Sequence, residues 1–172
     1  MSAVGARQAV EIRPLAAGEL SLVERRLPRY PGKHYERLEA QRRGECVYLI
    51  AWADDEPVGH LNLRLRGRKL SDRARRVGAA QIEDLSVANE HRRRGIGTQL
   101  MRRAEAEGIA RGFRALGLGV DVRNRPARAL YMQEGYEESG FGEFVVSYPY
   151  LAEQGVERQA HERCTYLIKP LD

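Results

Sequence analysis

Short apolar stretches separated by turn residues predict seven β-strands. The run over residues 46–53 is apolar almost throughout and indicates a central strand, whereas residues 58–66 alternate between apolar and polar side chains. The sequence Asp54-Asp55-Glu56-Pro57 predicts a hairpin turn between these two strands. The predicted strands comprise residues 10–13, 46–53, 58–66, 79–88, 115–122, a stretch from 136 onward, and 163–169.

Apolar residues spaced by three or four positions predict four helices. The clearest period covers residues 95–111, where Ile96, Leu100 and Ala104 fall on one stripe. Asn124 is suited to cap the last predicted helix, because its side chain can accept a hydrogen bond from a free backbone amide. The remaining predicted helices comprise residues 18–27, 34–43 and 124–134.

The order of these elements, β-α-α-β-β-β-α-β-α-β-β, predicts an α/β (α+β) fold. We expect residues 1–172 to form a single domain with one mixed, mostly antiparallel sheet of six to seven strands flanked by helices. The basic stretch up to Val77 and residues 141–162 show no clear period and are expected to be loops. In the fourth strand, alternation breaks at Glu83-Asp84, which predicts a β-bulge.

Composition places the chain among soluble globular proteins, with 42% hydrophobic and 31% charged residues. No apolar run is long enough to span a bilayer, and the first eight residues lack the apolar core of a secretory signal, so a cytoplasmic location is expected. Cys46 and Cys164 both lie in apolar, strand-like segments. We therefore expect them to be small buried side chains and not a disulfide.

The net charge of +5 favours anionic partners, and seven of the basic residues fall between Arg64 and Arg76. A solvated loop is the simplest interpretation of this run, and contact with an anionic cofactor or acceptor is the alternative. The run contains no aromatic residues of the kind that nucleic-acid modules interleave with basic ones, so nucleic acid is not an expected partner. The four histidines show no metal-ligand spacing, and no metal is expected.

The sequence Arg92-Arg93-Arg94-Gly95-Ile96-Gly97-Thr98 precedes the longest predicted helix. The first amides of a helix have no partner within it and lie at the positive end of the helix dipole. A phosphate placed there can accept several hydrogen bonds at once. Two glycines keep Cβ atoms out of the way, while three arginines and a threonine hydroxyl add charge and a donor. Taken alone, the turn is a plausible anion site, and an ordinary helix start is the alternative.

Three motifs in order and at suitable spacing make the chain resemble the GNAT superfamily of N-acetyltransferases. The first is the R/Q-x-x-G-x-G/A signature of residues 92–97, and the second is Ile82-Glu-Asp-Leu85-Ser-Val87, which looks like the fourth strand of the family. The third is Asn124-Arg-Pro-Ala127-Arg-Ala-Leu-Tyr131-Met-Gln-Glu-Gly135-Tyr136. The resemblance covers about residues 8–170.

The resemblance implies a sheet that splays between its fourth and fifth strands, with the pantetheine arm of acetyl-CoA between them and the pyrophosphate on the glycine-bearing turn. The acetyl group would pass directly to a primary amine, without an acyl-enzyme. The residues implied at the cofactor are Leu85, Ser86, Val87, Arg92, Arg93, Arg94, Gly95, Ile96, Gly97, Thr98, Asn124, Ala127 and Tyr131. For Asn124, a plain role as helix cap stands equally open.

Two proton transfers accompany such a reaction. The attacking amine must lose a proton, because free amines have a pKa of roughly 8 to 10, and a carboxylate can accept it. Glu83 is the first candidate and Asp84, expected on the opposite face of the strand, is the second; pairing with a nearby arginine is the alternative role for both. Tyr131 aligns with the family's tyrosine acid, which would protonate the departing thiolate, and a core aromatic role is its alternative.

The acceptor is expected to lie among the first two helices and the region after Gly135, with His34, Tyr35 and Glu83 as substrate-binding candidates and Tyr148 and Tyr150 as further ones. A small amine, an antibiotic or a protein amine would all satisfy this expectation. Two other functions stay open, a non-catalytic acyl-CoA sensor of the same fold and a basic nucleic-acid module. A homodimer also stays open.

Overall fold

A computed structural model describes residues 8–172, which form one eight-stranded mixed sheet with helices on both faces. The strands are β1 (Val10–Pro14), β2 (Cys46–Ala53), β3 (Glu56–Arg64), β4 (Ala79–Val87), β5 (Ala115–Asp121), β6 (Glu137–Glu138), β7 (Phe144–Leu151) and β8 (Glu157–Pro170). The helices are α1 (Leu20–Arg26), α2 (Lys33–Arg42), α3 (Asp72–Val77), α4 (Ile96–Ala110) and α5 (Arg125–Gln133). The strand order is β1-β2-β3-β4-β5-β8-β6, and β7 pairs with β8.

The two central strands β4 and β5 are parallel to each other, and they pair over only part of their length. Their register runs from Ala79 opposite Ala115 to Ile82 opposite Leu118. Beyond Ile82 the two strands separate, while β5 continues along antiparallel β8 as far as Asp121 and β4 continues along antiparallel β3. The predicted mixed sheet and its splay between strands 4 and 5 are thus confirmed, and the second half of β4 has a free backbone edge facing the gap.

A β-bulge interrupts β4 at the start of this gap, as the sequence predicts. Asn62 on β3 pairs with Glu83, whereas His60 pairs with Ser86, so two residues of β4 lie opposite one residue of β3. Asp84 is the bulged residue and takes a left-handed conformation, with φ of 52°. The expectation that Asp84 and Glu83 point to opposite faces is wrong. The bulge turns both carboxylates toward the face that α2 covers, where Asp84 contacts Arg37 and Glu83 contacts Asn62.

The hydrophobic core has two main layers, one on each face of the sheet. On one face, α4 packs Ile96, Leu100, Met101 and Ala104 against apolar residues of β2 to β5, and α5 adds partly buried residues to the same layer. On the other face, α1 and α2 cover Tyr48, Ile50 and Trp52. The two cysteines, Cys46 and Cys164, are buried free thiols, as predicted. The sheet is therefore rigid on both sides of the gap between β4 and β5.

Replacement of Leu100 by alanine tests the importance of the α4 layer. Leu100 has no solvent exposure, so the variant leaves a cavity and should lose about 2–5 kcal/mol of unfolding free energy. Ile109 is the matched control on the same helix, since its side chain is 48% exposed and its replacement by alanine should change stability by less than about 0.5 kcal/mol. Urea denaturation of the two variants measures both values, and equal losses would contradict this account of the core.

Two predicted loops are in fact regular structure. The basic stretch before Val77 contains the short helix α3. The Ser71 side chain caps this helix by accepting a hydrogen bond from the Ala74 amide. Residues 141–162, expected to be irregular, contain β7 and the first half of the 14-residue strand β8. These strands escape prediction because they form a hairpin that is exposed on most of β7 and of the first half of β8. A strand without a buried face needs no alternation of apolar and polar residues in its sequence.

Candidate functional site

The turn before α4 has the geometry of an anion site. Arg93 and Gly95 both take left-handed conformations, with φ of 61° and 80°, and Gly95 is the N-cap residue directly before α4. Glycine adopts such a φ without steric cost, which explains its place at this turn. Among the described residues, no side chain caps α4. The first amides of α4, at the positive end of its dipole, therefore remain free for a ligand.

The three arginines of the turn have different surroundings. Arg92 donates from Nε to the carbonyl oxygen of Val87 at 3.0 Å, which ties the turn to the end of β4. Arg93 and Arg94 are exposed, and neither forms an ion pair with any residue between 8 and 172. The structure thus uses Arg92 to hold the turn beside the gap and leaves two cationic side chains at its mouth. The expected contacts of Arg92 to Thr98 with a cofactor remain a prediction.

On the opposite face of the sheet, a cleft of about 350 Å³ opens where β4 and β5 separate. Its floor is made by both strands, and its walls come from β7, β8 and the segment that leads into α3. Tyr166 of β8 packs directly on Gly117 of β5, where an added Cβ would lie 2.2 Å from the tyrosine oxygen. The lining residues are Ser71, Arg73, Gln81, Ile82, Glu83, Asp84, Gly119, Phe144, Val145, Val146 and Tyr166.

Glu83 lies in this cleft and is held mainly by neutral donors. One carboxylate oxygen accepts from Asn62 Nδ2 at 2.9 Å and has a longer contact of 3.4 Å with Arg64 Nη2. The other oxygen accepts from Gln81 Nε2 at 3.3 Å. Gln81 in turn accepts from Tyr166 at 3.2 Å. This chain of hydrogen bonds orients the Glu83 carboxylate and leaves it 24% exposed in the cleft.

Asp84 has a more strongly charged environment. It forms ion pairs with Arg29 and with Arg37, whose side chain is nearly fully buried, and its Oδ2 lies 4.0 Å from His60 Nδ1. Burial acts to raise the pKa of Asp84, but the charges of Arg37, His60 and Arg29 outweigh it and hold that pKa below its ordinary value. A carboxylate with a lowered pKa binds a proton weakly. Asp84 is therefore the poorer of the two carboxylates as a proton acceptor.

Tyr131 and Asn124 lie on the other side of the gap, in and before α5. Burial, together with the negative charge of Asp84 across the gap, raises the pKa of Tyr131, so its hydroxyl stays protonated at neutral pH. The ring packs edge-on against Tyr136, with centroids 6.3 Å apart. The Asn124 side chain accepts from the Ala127 amide at 3.2 Å and caps α5, as predicted. The structure thus brings Tyr131 to the gap that Glu83 and Asp84 border.

The predicted acceptor residues on α2 do not line the cleft. His34 is buried, with one ring nitrogen 2.6 Å from the Tyr48 hydroxyl and the other 2.5 Å from the Leu27 carbonyl oxygen. Burial lowers the pKa of His34. Tyr35 is 54% exposed on the outer surface of α2. Tyr148 and Tyr150 lie on the exposed hairpin beyond the cleft, so of the predicted substrate-binding residues only Glu83 lies in it.

Several cleft residues carry no sequence signal of their own. Arg73 belongs to the basic run that was expected to be a solvated loop, and its guanidinium carbon lies 3.5 Å from the centroid of the Phe144 ring. Phe144 belongs to a predicted loop. Gln81 could be found from its position two residues before Glu83, since both share one face of the strand. The glycines of Ala-Leu-Gly117-Leu-Gly119 were the available hint, because small residues in a strand indicate a close approach by another group.

Within residues 8–172, no group of three or more histidine, cysteine or acidic side chains is placed to hold a metal ion. The same residues contain no helix that is both long and apolar enough to cross a membrane.

A mixed sheet whose parallel central strands splay beside an unpartnered helix start is the fold that this chain shares with solved N-acetyltransferases. The model of the Acetyltransferase (GNAT) family matches residues 15–136, well over half of the chain. The chain belongs to this family, as its motifs indicate.

Three curated relatives share between 31% and 39% of the aligned residues. GCN5-related N-acetyltransferase 4, chloroplastic, from Arabidopsis thaliana is 39% identical over 69 residues, which are 40% of this chain and 24% of that protein. The uncharacterized N-acetyltransferase YhfO of Bacillus subtilis is 32% identical over 61% of this chain and 68% of its own length. The aminoalkylphosphonate N-acetyltransferase of Salmonella typhimurium is 31% identical over 55% of this chain and 58% of its own length. The chain thus spans less than two thirds of two of these relatives.

Solved structures agree on the fold over nearly the whole chain. An N-acetyltransferase from Staphylococcus aureus Mu50 superposes with a TM-score of 0.70, at 15% identity over 95% of this chain and 99% of that one. A GNAT family acetyltransferase from Elizabethkingia anophelis with acetyl-CoA bound gives a TM-score of 0.61, at 18% identity over 94% and 98%.

Proposed function

We propose that this protein is an N-acetyltransferase, a single catalytic domain that transfers the acetyl group of acetyl-CoA to a primary amine. The observation that carries the proposal is the gap between β4 and β5, which joins an unpartnered helix start on one face to a carboxylate-bearing cleft on the other. Family membership supports the acyl transfer, and the Salmonella relative's name adds an aminoalkylphosphonate to the acceptors worth assaying.

The cofactor end of the proposal rests on two features that fit acetyl-CoA. The free amides at the start of α4, together with Arg93 and Arg94, suit a pyrophosphate. The free edge of β4, over Leu85 to Val87, can pair with the amides of an extended pantetheine arm. The side chains of Leu85 and Val87 pack into the α4 layer, so only their backbone groups face that arm. Bound there, acetyl-CoA supplies a thioester at the gap.

Glu83 is the proposed proton acceptor. It lies in the cleft with its carboxylate oriented by neutral amides, whereas Asp84 is neutralised by two guanidinium groups. The amine nitrogen forms the new amide bond as the carbon–sulfur bond breaks. Its proton passes to Glu83, either directly or through a water, and no group of the protein becomes acylated.

Tyr131 is the proposed proton donor to the departing thiolate. Its hydroxyl stays protonated because burial and the charge of Asp84 disfavour the phenolate. Its position on α5, across the gap from the two carboxylates, separates the proton donor from the proton acceptor. Glu83 and Tyr131 thus need not exchange a proton with each other while the acetyl group is transferred.

Turnover is the direct test. The protein is incubated with acetyl-CoA and a panel of primary amines, and the release of free thiol is followed. Thiol release that depends on the amine, with the acetylated amine identified by mass spectrometry, supports an acetyltransferase. Binding of acetyl-CoA without turnover of any amine would instead favour a sensor of the same fold.

Stabilisation by acetyl-CoA tests the cofactor end separately. At a concentration a hundredfold above Kd, the ligand should add about 2.7 kcal/mol to the unfolding free energy, which raises Tm by roughly 5–10 °C for a chain of this size. Arg94→Ala should bind acetyl-CoA about tenfold more weakly, because one charged contact with phosphate is lost. Arg111→Ala is the control at the opposite end of α4 and should bind normally. A wild-type protein whose Tm does not respond to acetyl-CoA would contradict the proposal.

A further inference from the structure

Arg73 stands out among the cleft residues because its guanidinium has no anionic partner in the part of the chain that the structure describes. It lies on α3 with its flat face against the Phe144 ring, at 3.5 Å from the ring centroid. Among the described residues, neither a carboxylate nor a carbonyl oxygen bonds to it, whereas its helix neighbour Arg75 donates to the carbonyl oxygens of Gly67 and Leu70. Stacking occupies the faces of a guanidinium and leaves the N–H groups at its edge free.

The charge balance of the cleft also leaves Arg73 available for an anion. The two carboxylates already face three guanidinium groups, Asp84 those of Arg29 and Arg37 in ion pairs and Glu83 that of Arg64 in a longer contact of 3.4 Å. Arg73 adds a fourth cation, which has no anionic partner within residues 8–172. An acceptor with only positive charge would be repelled by this excess, whereas an acceptor with an added negative group would neutralise it.

We propose that Arg73 binds an anionic group of the acceptor, so that the substrates are small amines bearing a carboxylate or a phosphonate. This inference rests on the proposed acetyltransferase function. The amine reaches Glu83 on the β4 side of the cleft, while the anion receives the in-plane N–H groups of Arg73 from the α3 side. A planar guanidinium can donate two parallel hydrogen bonds to either anion, which fixes the direction of the acceptor. The cleft volume of about 350 Å³ suits a molecule of this size.

Matched pairs of amines and matched variants test the proposal. The pairs are β-alanine against propylamine, and 2-aminoethylphosphonate against ethylamine, with 1,3-diaminopropane as the purely cationic amine. The variant is Arg73→Met, which keeps an apolar chain over Phe144 and removes the charge. The control is Arg76→Met, because Arg76 stacks on Phe141 from the same helix but does not line the cleft. Melting curves of both variants verify that they are folded.

The wild-type kcat/KM should favour the anionic member of each pair by about 10- to 100-fold, the loss expected for one charged hydrogen-bonded contact. Arg73→Met should abolish this preference, mainly through a higher KM for the amine that bears the anionic group, with kcat/KM for the amine without it nearly unchanged. Arg76→Met should keep the preference. Comparison of β-alanine with 2-aminoethylphosphonate shows whether a carboxylate or a phosphonate is the preferred group.

Equal kcat/KM values within each pair, or a preference that survives Arg73→Met, would overturn the inference and leave the acetyltransferase proposal standing. If no amine is turned over, the acetyltransferase proposal fails. Calorimetric binding of β-alanine and 2-aminoethylphosphonate in the presence of CoA then decides on Arg73. Binding that is at least tenfold weaker in Arg73→Met supports the anion site, and unchanged or absent binding overturns it.

Discussion

Glu83→Gln should lower kcat for acetyl transfer by about 100- to 10,000-fold at neutral pH, the range that one general base contributes. Glutamine has nearly the shape of glutamate and can still accept from Asn62, so the cleft should keep its form. What it loses is the capacity to take a proton from the amine. Steady-state kinetics with a saturating amine measure the effect, and retention of wild-type kcat would remove Glu83 from the mechanism.

The pH dependence of this variant distinguishes a lost base from a distorted cleft. Free amines have a pKa of roughly 8 to 10, so the neutral fraction of the amine rises with pH and the need for a base falls. The difference between wild type and Glu83→Gln should therefore shrink as the pH is raised toward 10. A constant ratio at all pH values would indicate misplacement of the substrate instead.

Asp84→Asn provides the contrast, because Asp84 is mainly an ion-pair residue. Removing its charge leaves Arg37, which is nearly fully buried, without its carboxylate. We expect a fall in Tm for Asp84→Asn together with a smaller fall in kcat than for Glu83→Gln. The folded pKa of Asp84 is lowered, so its ion pairs contribute stability above the unfolded value of about 3.9, and that contribution is lost as the pH falls through the folded value.

Tyr131→Phe should lower kcat by about 100-fold or more, because the departing thiolate then lacks its proton donor. The phenyl ring preserves the packing against Tyr136, and so the fold and the affinity for acetyl-CoA should be nearly unchanged. Rapid mixing of the saturated complex measures the chemical step itself. A variant that binds acetyl-CoA normally and turns over at the wild-type rate would show that Tyr131 is only a packing residue.

Tyr136→Phe is the matched control for this experiment. Tyr136 is fully buried within the core layer of α4 and contacts the Tyr131 ring, whereas Tyr131 is only partly buried against that layer. Loss of its hydroxyl should leave kcat unchanged. A similar fall in kcat for both variants would mean that the pair acts through packing and not through a proton.

The glycine turn before α4 and the cap of α5 were predictable because they are local in the sequence. The turn of residues 92–98 and the cap at Asn124 each depend on neighbouring residues, and local rules for glycine, helix starts and caps apply to them directly. The two-layer core was predictable for the same reason, since α4 and the central strands have clear periods. The splay between β4 and β5 came only from the family resemblance.

The acceptor end was not predictable, because distant segments assemble it. Arg73 and Phe144 are 71 positions apart, yet they stack in one wall of the cleft. The predicted direction of the Asp84 side chain was wrong because β4 has one extra residue at the bulge. An extra residue shifts the alternation of side chains between the two faces of the sheet by one position. On α2, His34 and Arg37 occupy the buried face beside Leu38. A polar side chain was therefore no sign of solvent exposure on this helix.

The segment between Gly67 and Gly78 has a consequence for how this protein could change over evolution. Both glycines have positive φ, and Arg75 closes the segment on itself through the Gly67 and Leu70 carbonyl oxygens. Within it, Arg73 lines the cleft and Ser71 bonds to Gln81, near Glu83. The segment is thus closed by its own hydrogen bonds between two glycines, and exchange of its twelve residues would change one wall of the cleft while the sheet and the turn before α4 stay as they are.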